Sequence, residues 1–228
     1  SLAKKLNLRN PNKASNIAVI GLGRFGTSLA LELVKSGCEV LGIDSDDRLV
    51  QASAAGLTHV VKADSTNEET LRELGIDEFD AAVVAIGSDL EASILTASLL
   101  LQLGVKQVWV KATSSAHGRI LEQLGVHHVV FPEADMGRRV AHMVAGESLD
   151  YIEIAPEFVM VKISAPTSFD GQNLAKLELR KRYGVTVVAT GHGDQDFKNA
   201  TPETIIHKGD HLLLAGPTDM IRAFGQLS

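Results

Sequence analysis

The sequence predicts an α/β protein: a doubly wound, mostly parallel sheet, then a crossover helix, then a small second α+β domain. Three observations carry this. Residues 17–26 spell IAVIGLGRFG, an apolar run that turns through glycines into a helix start. From residue 17 to 131, short apolar runs separate helical segments, and several runs are continuous, as expected for parallel strands covered on both faces. Beyond residue 150 the apolar residues alternate along the strands instead.

In chain order, residues 1–15 are basic and polar and read as a flexible arm, without the long apolar core of a secretory signal. The first domain, residues 16–132, has strands expected at 17–20, 40–43, 59–62, 81–85, 107–110 and 128–130. Helices are expected at 25–35, 46–55, 67–73, 90–102 and 115–123. Gly37, Gly56, Gly75, Gly104 and Gly125 read as their stops, because glycine accepts positive φ at little steric cost. LGV or LGI recurs at 74–76, 103–105 and 124–126, as similar helix-to-strand turns.

Pro132 ends the last of these strands, and residues 133–149 form a helix and a short polar link. Met136, Val140, Met143 and Val144 share one stripe of that helix, which is either a crossover onto a neighbouring subunit or an ordinary peripheral helix. The second domain, residues 150–228, has strands expected at 151–154, 158–163, 185–189 and 211–215. Helices are expected at 173–181 and near 218–225, and a polar glycine-rich turn runs up to residue 199. A domain this small gains core by pairing with a second copy.

Composition narrows the function. The 228-residue chain carries a formal net charge of -6, which argues against a nucleic-acid partner. No stretch approaches the roughly 20 apolar residues of a membrane span. One cysteine, Cys38, excludes an intrachain disulfide and fits a reducing compartment; beside an apolar strand it reads as buried and inert.

The glycines of residues 21–26 have separate tasks. Gly21 permits the tight turn out of the first strand, Gly23 lets a pyrophosphate approach bare backbone, and Gly26 lets the helix pack closely. Amides of the first helical turn then point at phosphates, and Arg24 can fold over one. Asp44 closes the next apolar run, LGID, about twenty residues on, where a carboxylate meets a ribose hydroxyl and disfavours a 2'-phosphate. Strand, loop, helix and acid together make a Rossmann-like nucleotide fingerprint. Asp64 ends the third strand and either bonds a base or caps the next helix. Ala85, Ile86 and Gly87 line the pocket's other wall, and Ser88 reads as a helix cap.

Catalytic candidates are poor. Hydride transfer needs a second substrate oriented over a nicotinamide, and usually a general acid. His59, His127 and His128 adjoin apolar strands and read as structural; His192, His207 and His211 lie in the small domain. His117, near a helix start, is the best acid candidate, but no partner for it can be named. HExxH, GxSxG and GxxxxGK[ST] are absent. The expectation is a binding protein rather than an enzyme, with a small NAD-dependent oxidoreductase or a scaffold with a relic pocket as the alternatives.

IAVIGLGRFG, GID, KADSTNEETLRELGI, VVAIGSDLEASILTASLLLQLGVKQVWVKA and HHVVFPEADMGRRVA together resemble the cytoplasmic regulatory subunits of bacterial Ktr and Trk potassium-uptake systems, which carry RCK domains. GQNLAKLELRKRYGVTVVAT and KGDHLLLAGP resemble the RCK C-terminal domain, so the likeness runs from about Asn16 to the C terminus. One such unit is closer to the short Ktr type than to the tandem Trk type. The resemblance implies a homo-octameric ring built from dimers beneath a dimeric potassium translocator, at the inner face of the cell membrane. It implies that ATP and ADP compete for the pocket, that ATP favours the activating ring, and that NAD or NADH also fits. Gly21, Gly23, Arg24, Phe25 and Gly26 would surround the phosphates, with Asp44 at the ribose, Asp64 toward the base and Lys111 on the wall beyond the fifth strand. Glu133, in FPEADMG, matches a family carboxylate that holds a divalent cation, magnesium or calcium, at the dimer interface. It is equally a first-turn acid favoured by a helix dipole. Cyclic di-AMP would bind near residues 174–182, with Pro202 nearby and Arg180 as phosphate partner, although KRYG also reads as an exposed basic helix end. Ser168-Phe169-Asp170 departs from the aliphatic pair that the family often carries ahead of this helix.

Overall fold

The computed structural model describes residues 15–225. The expected arm, except Ser15, lies outside them. The chain divides into two compact units, one ending at Pro132 and one starting at Glu133.

The first unit is built on a six-stranded sheet: β1 (Asn16–Ile20), β2 (Glu39–Asp44), β3 (His59–Lys62), β4 (Ala81–Val84), β5 (Val108–Lys111) and β6 (His128–Val130). Its order is β3-β2-β1-β4-β5-β6, and every pairing is parallel. The connections are α1 (Arg24–Lys35), α2 (Asp47–Ser53), α3 (Glu68–Glu73), α4 (Leu90–Gln102) and α5 (Ser115–Leu124). The continuous apolar runs have a physical cause. Along β1, Ala18 and Ile20 enter one buried cluster with Leu100 and Val110, while Val19 enters another with Leu22 and Ala30. Both faces are therefore covered. The strand order reverses between β1 and β4, and a crevice opens beyond the strand ends at that switch point.

Local polar chemistry starts the helices. Asp46, Asn67, Asp89 and Ser114 each accept a backbone amide of the first turn. The cap of α4 is thus Asp89 and not Ser88, because the carboxylate one residue later reaches the Ala92 amide. Four of the expected glycine stops have positive φ, but Gly56 does not; a Cβ there would lie 2.6 Å from Leu31 Cδ2. Cys38 is half-buried rather than buried.

The second unit comprises α6 (Pro132–Val144), β7 (Asp150–Ala155), β8 (Phe158–Ser164), α7 (Leu174–Leu177), α8 (Leu179–Tyr183), β9 (Thr186–His192), β10 (Gln195–Asn199), β11 (Asp210–Pro217) and α9 (Thr218–Gly225). Its strands form an antiparallel sheet in the order β10-β9-β11-β8-β7. Val159, Val161 and Ile163 of β8 and Leu212 and Leu214 of β11 alternate into one core with Phe224. Two expectations change. The helix expected at 173–181 is two short helices, because Glu178 between them sits at φ 46, ψ 39, outside right-handed helix. The expected polar turn includes an edge strand, β10, whose residues are all exposed. Helix α6 has no buried residue, and Arg139 joins it to β7 by two bonds to Asp150, of 2.7 and 2.8 Å.

Candidate nucleotide-binding site

The turn from β1 into α1 is shaped by three glycines with different physical roles. Gly21 has φ +96, and a Cβ on it would lie 3.0 Å from the Ala85 carbonyl carbon. Its amide donates to the Ile43 carbonyl at 2.8 Å, tying the turn to β2. Gly26 is tighter still: a Cβ there would lie 1.8 Å from the Gly21 carbonyl oxygen. Gly23 is different. Its backbone, φ -67 and ψ -170, suits any residue, and a Cβ would meet nothing within 4 Å. Folding does not require glycine at this position.

Gly21 and Gly23 line a cavity of about 340 Å3 at the carboxyl ends of the strands. Residues 44–46 after β2 and 64–66 after β3 form one side. Residues 85–89 after β4 form the other. Asp44 Oδ2 accepts the Leu22 amide at 2.7 Å, and Oδ1 accepts the Asp46 amide at 2.8 Å. The carboxylate therefore braces the glycine turn, and lone pairs remain for a hydroxyl. Asp64 Oδ1 accepts both the hydroxyl and the amide of Thr66, at 2.6 and 2.9 Å. The Thr66 hydroxyl, first, and its amide, second, hold the Asp64 carboxyl below the usual carboxylate range. The cap of α3 is Asn67, so Asp64 does not cap that helix.

Gly21, Gly23, Asp44, Asp64, Ala85, Ile86 and Gly87 thus share one cavity. Arg24, Phe25 and Gly26 follow it as the first residues of α1, with Arg24 exposed. Lys111, at the end of β5, is buried with its Nζ 5.6 Å from the Phe25 ring centroid. A Cβ on Gly87 would lie 2.9 Å from that same Nζ, which joins Lys111, Phe25 and Gly87 at one wall. Sequence reasoning missed Thr66 and the Ser65–Thr96 hydroxyl bond of 2.8 Å, which ties the turn after β3 to α4. Nothing in the spacing marks a mid-helix threonine for that contact.

Two expected site residues belong to the second unit. Glu133 is in the first turn of α6. Among the described residues, no group of three or more His, Cys, Asp or Glu side chains is arranged to hold a metal ion. Arg180 Nε lies 3.3 Å from Thr186 Oγ1 and lines a groove of about 610 Å3 with Leu174 and Pro202.

Three of the histidines have structural roles. His117 is 1% exposed; its Nδ1 accepts the Thr113 amide at 3.2 Å, so its Nε2 carries the proton toward Ser93 Oγ at 3.3 Å. Burial lowers its pKa, and the ring is a neutral core group rather than an acid at the site. His127 accepts the Val108 amide at 3.0 Å, and His128 stacks on Trp109 at 3.8 Å.

Residues 17–132 match the TrkA-N domain family, and residues 158–227 match the TrkA-C domain family. The chain is 39% identical over 208 residues to Ktr system potassium uptake protein C of Bacillus subtilis strain 168, covering 91% of this chain and 94% of that protein. This chain belongs to the TrkA-N/TrkA-C family of Ktr-type potassium-uptake proteins. Ktr system potassium uptake protein A of the same organism is 38% identical over 213 residues, covering 93% of this chain and 96% of its own. In three dimensions the whole chain matches the GsuK RCK domain at a TM-score of 0.66 and 15% identity, spanning 52% of that chain. It matches the GsuK channel bound to NAD at a TM-score of 0.55 and 24% identity, over 96% of this chain and 39% of that one. At such identities the likeness is one of fold. The TrkA-N match and the first compact unit both end at Pro132, so the cavity lies within the TrkA-N unit. Among its described residues, the chain has no helix long and apolar enough to cross a membrane.

Proposed function

We propose that this chain is a nucleotide-gated, non-catalytic regulatory subunit of a potassium-uptake system. The observation that carries the reading is Gly23. A glycine that folding does not need lines a cavity at the amino end of a helix, where a side chain would occupy the room of a phosphate. Asp44 then meets the ribose and Asp64 the base, while Arg24 and Lys111 supply positive charge. An NAD-bound structure with this fold supports a nucleotide in this place.

Within this reading ATP and ADP compete, and ATP favours the active form. A ring of eight subunits in dimers, acting on a dimeric membrane translocator at the cytoplasmic face, converts one phosphoryl group into movement. Reversing a 1:99 equilibrium to 99:1 takes about 5.5 kcal/mol, or about 0.7 kcal/mol at each of eight sites. One divalent cation on Glu133 is ample for a preference of that size. The Arg180 groove is the candidate for cyclic di-AMP as an opposing signal.

The test is to titrate ATP, ADP and NAD into the full chain with magnesium while light scattering follows its mass. The expected result is a mass near eight chains and tighter ATP than ADP binding, with that preference reduced in Glu133→Gln. Equal ATP preference in Glu133→Gln removes the cation from the account. Failure of all three nucleotides to bind removes the gating reading itself.

A further inference from the structure

The nucleotide cavity contains a second glycine that its own backbone does not demand. Gly87 lines the cavity beyond the end of β4, and its φ lies outside the left-handed region. Beyond its chain neighbours, a Cβ there would meet two atoms within 4 Å among the described residues. Both belong to one side chain: Lys111 Nζ at 2.9 Å and Lys111 Cε at 3.5 Å. Alanine would fit this backbone, and what it would displace is the lysine head.

The surroundings of that head point to the cavity. Lys111 closes β5 and is 7% exposed, although lysine is among the residues least often buried. Its Nζ stands 5.6 Å from the ring centroid of Phe25, in the first turn of α1, the helix end that an anion would approach. The turn into α1 and the loop after β4 touch each other. The Ala85 amide donates to the Ile20 carbonyl at 2.7 Å, and a Cβ on Gly21 would lie 3.0 Å from the Ile86 nitrogen. The ammonium is therefore held where the amino end of α1 meets the wall that Gly87 forms.

We infer that Gly87 is a positioning residue for phosphate: the side chain it lacks is the room in which the Lys111 ammonium is held toward the phosphate chain of a bound nucleotide. This rests on the nucleotide reading of the cavity, and it adds what makes the site sense phosphate rather than the nucleoside alone. Phe25 supports the cation from the α1 side, and Gly87 leaves it space from the β4 side. A methyl group at residue 87 pushes the ammonium aside. The charge-assisted bonds it donates to phosphate are then lost, while the contacts to ribose and base stay.

The test is equilibrium dialysis of ADP and of adenosine against the full chain. Gly87→Ala should melt like wild type, lower ADP affinity about tenfold and leave adenosine unchanged. Lys111→Met should also weaken ADP and not adenosine. In the double variant the loss for ADP should be no larger than in the more affected single variant, because both changes remove the same contact. The inference is overturned if Gly87→Ala binds ADP like wild type, if it weakens ADP and adenosine equally, or if the two losses add. It is also overturned if Gly87→Ala melts far below wild type, since folding would then require the glycine. In each of these cases a wild-type chain that binds ADP leaves the nucleotide reading standing. A wild-type chain that binds neither ligand overturns that reading and this inference together.

Discussion

The two sheets of this chain bury their apolar residues differently. In the TrkA-N unit, neighbouring residues of β1 enter opposite clusters, so the sheet is covered on both faces. In the TrkA-C unit, β8 and β11 bury every second residue, and Ile152 and Ile154 on edge strand β7 stay 43% and 56% exposed. A sheet covered twice has room for a ligand only beyond its strand ends, where bare backbone forms the site. A sheet covered once makes room beside its open edges, and its surface carries ion pairs such as Arg139–Asp150 and Lys162–Asp194. The first unit should therefore be sensitive to single added atoms, and the second to charge and acid.

The largest effect that would break this contrast is at Gly26. With 1.8 Å between an added Cβ and the Gly21 oxygen, Gly26→Ala must displace α1 from the turn. A loss of about 3 kcal/mol or more is expected. It should appear in the transition of the TrkA-N unit alone when chemical unfolding is followed by hydrogen exchange. A variant as stable as wild type would mean that the turn is not held by close backbone packing.

A smaller effect sharpens the other half. Arg139→Gln removes a two-bond pair whose side chains are 39% and 28% exposed, so solvent screening keeps the loss small. The Arg139 hydrogen bond is the main cause holding the Asp150 carboxyl below its ordinary range. A depressed carboxylate contributes stability above its unfolded pKa, near 3.9, and loses it as pH falls through the folded value. Urea unfolding of the TrkA-C unit should therefore separate wild type from variant at neutral pH, and the gap should close as pH falls through the folded pKa of Asp150. A gap that persists in acid would mean that packing, not charge, links α6 to β7.

The smallest effect is the pH response of the first unit. Burial lowers the His117 pKa, so the unfolded chain takes up a proton before the folded one does. Stability from this group is complete above about pH 6.5 and declines as pH falls toward the folded pKa. His117→Gln should flatten that decline in the TrkA-N unit, whatever its effect at pH 8. An unchanged slope would show that His117 does not account for it.

The parallel strands were legible because continuous apolar runs in Ala18–Ile20 and Ala82–Val84 mean burial on both faces. Strand β10 was not, because QDFKN has one apolar residue and is paired through its backbone at an edge. Asp64 and Asn67, or Ser88 and Asp89, have similar capping chemistry, and only geometry selects which one reaches the amide. The break at Glu178 carries no glycine to announce it. His117 looked like an acid because Ser93, which accepts the hydrogen bond from its Nε2, is 24 residues away in sequence. Cavity lining by Gly21, Gly23, Asp44 and Asp64 could be anticipated, since strand ends and the switch point follow from chain order.

The most direct test of the nucleotide site is Gly23→Asp, studied by calorimetric titration with ADP and by thermal melting. Aspartate is a favoured helix cap and Gly23 has an ordinary extended backbone, so the variant should melt at or slightly above wild type. Its carboxylate would occupy the phosphate position, and ADP affinity should fall by about a hundredfold or more. A variant that folds like wild type and binds ADP equally well would contradict the account.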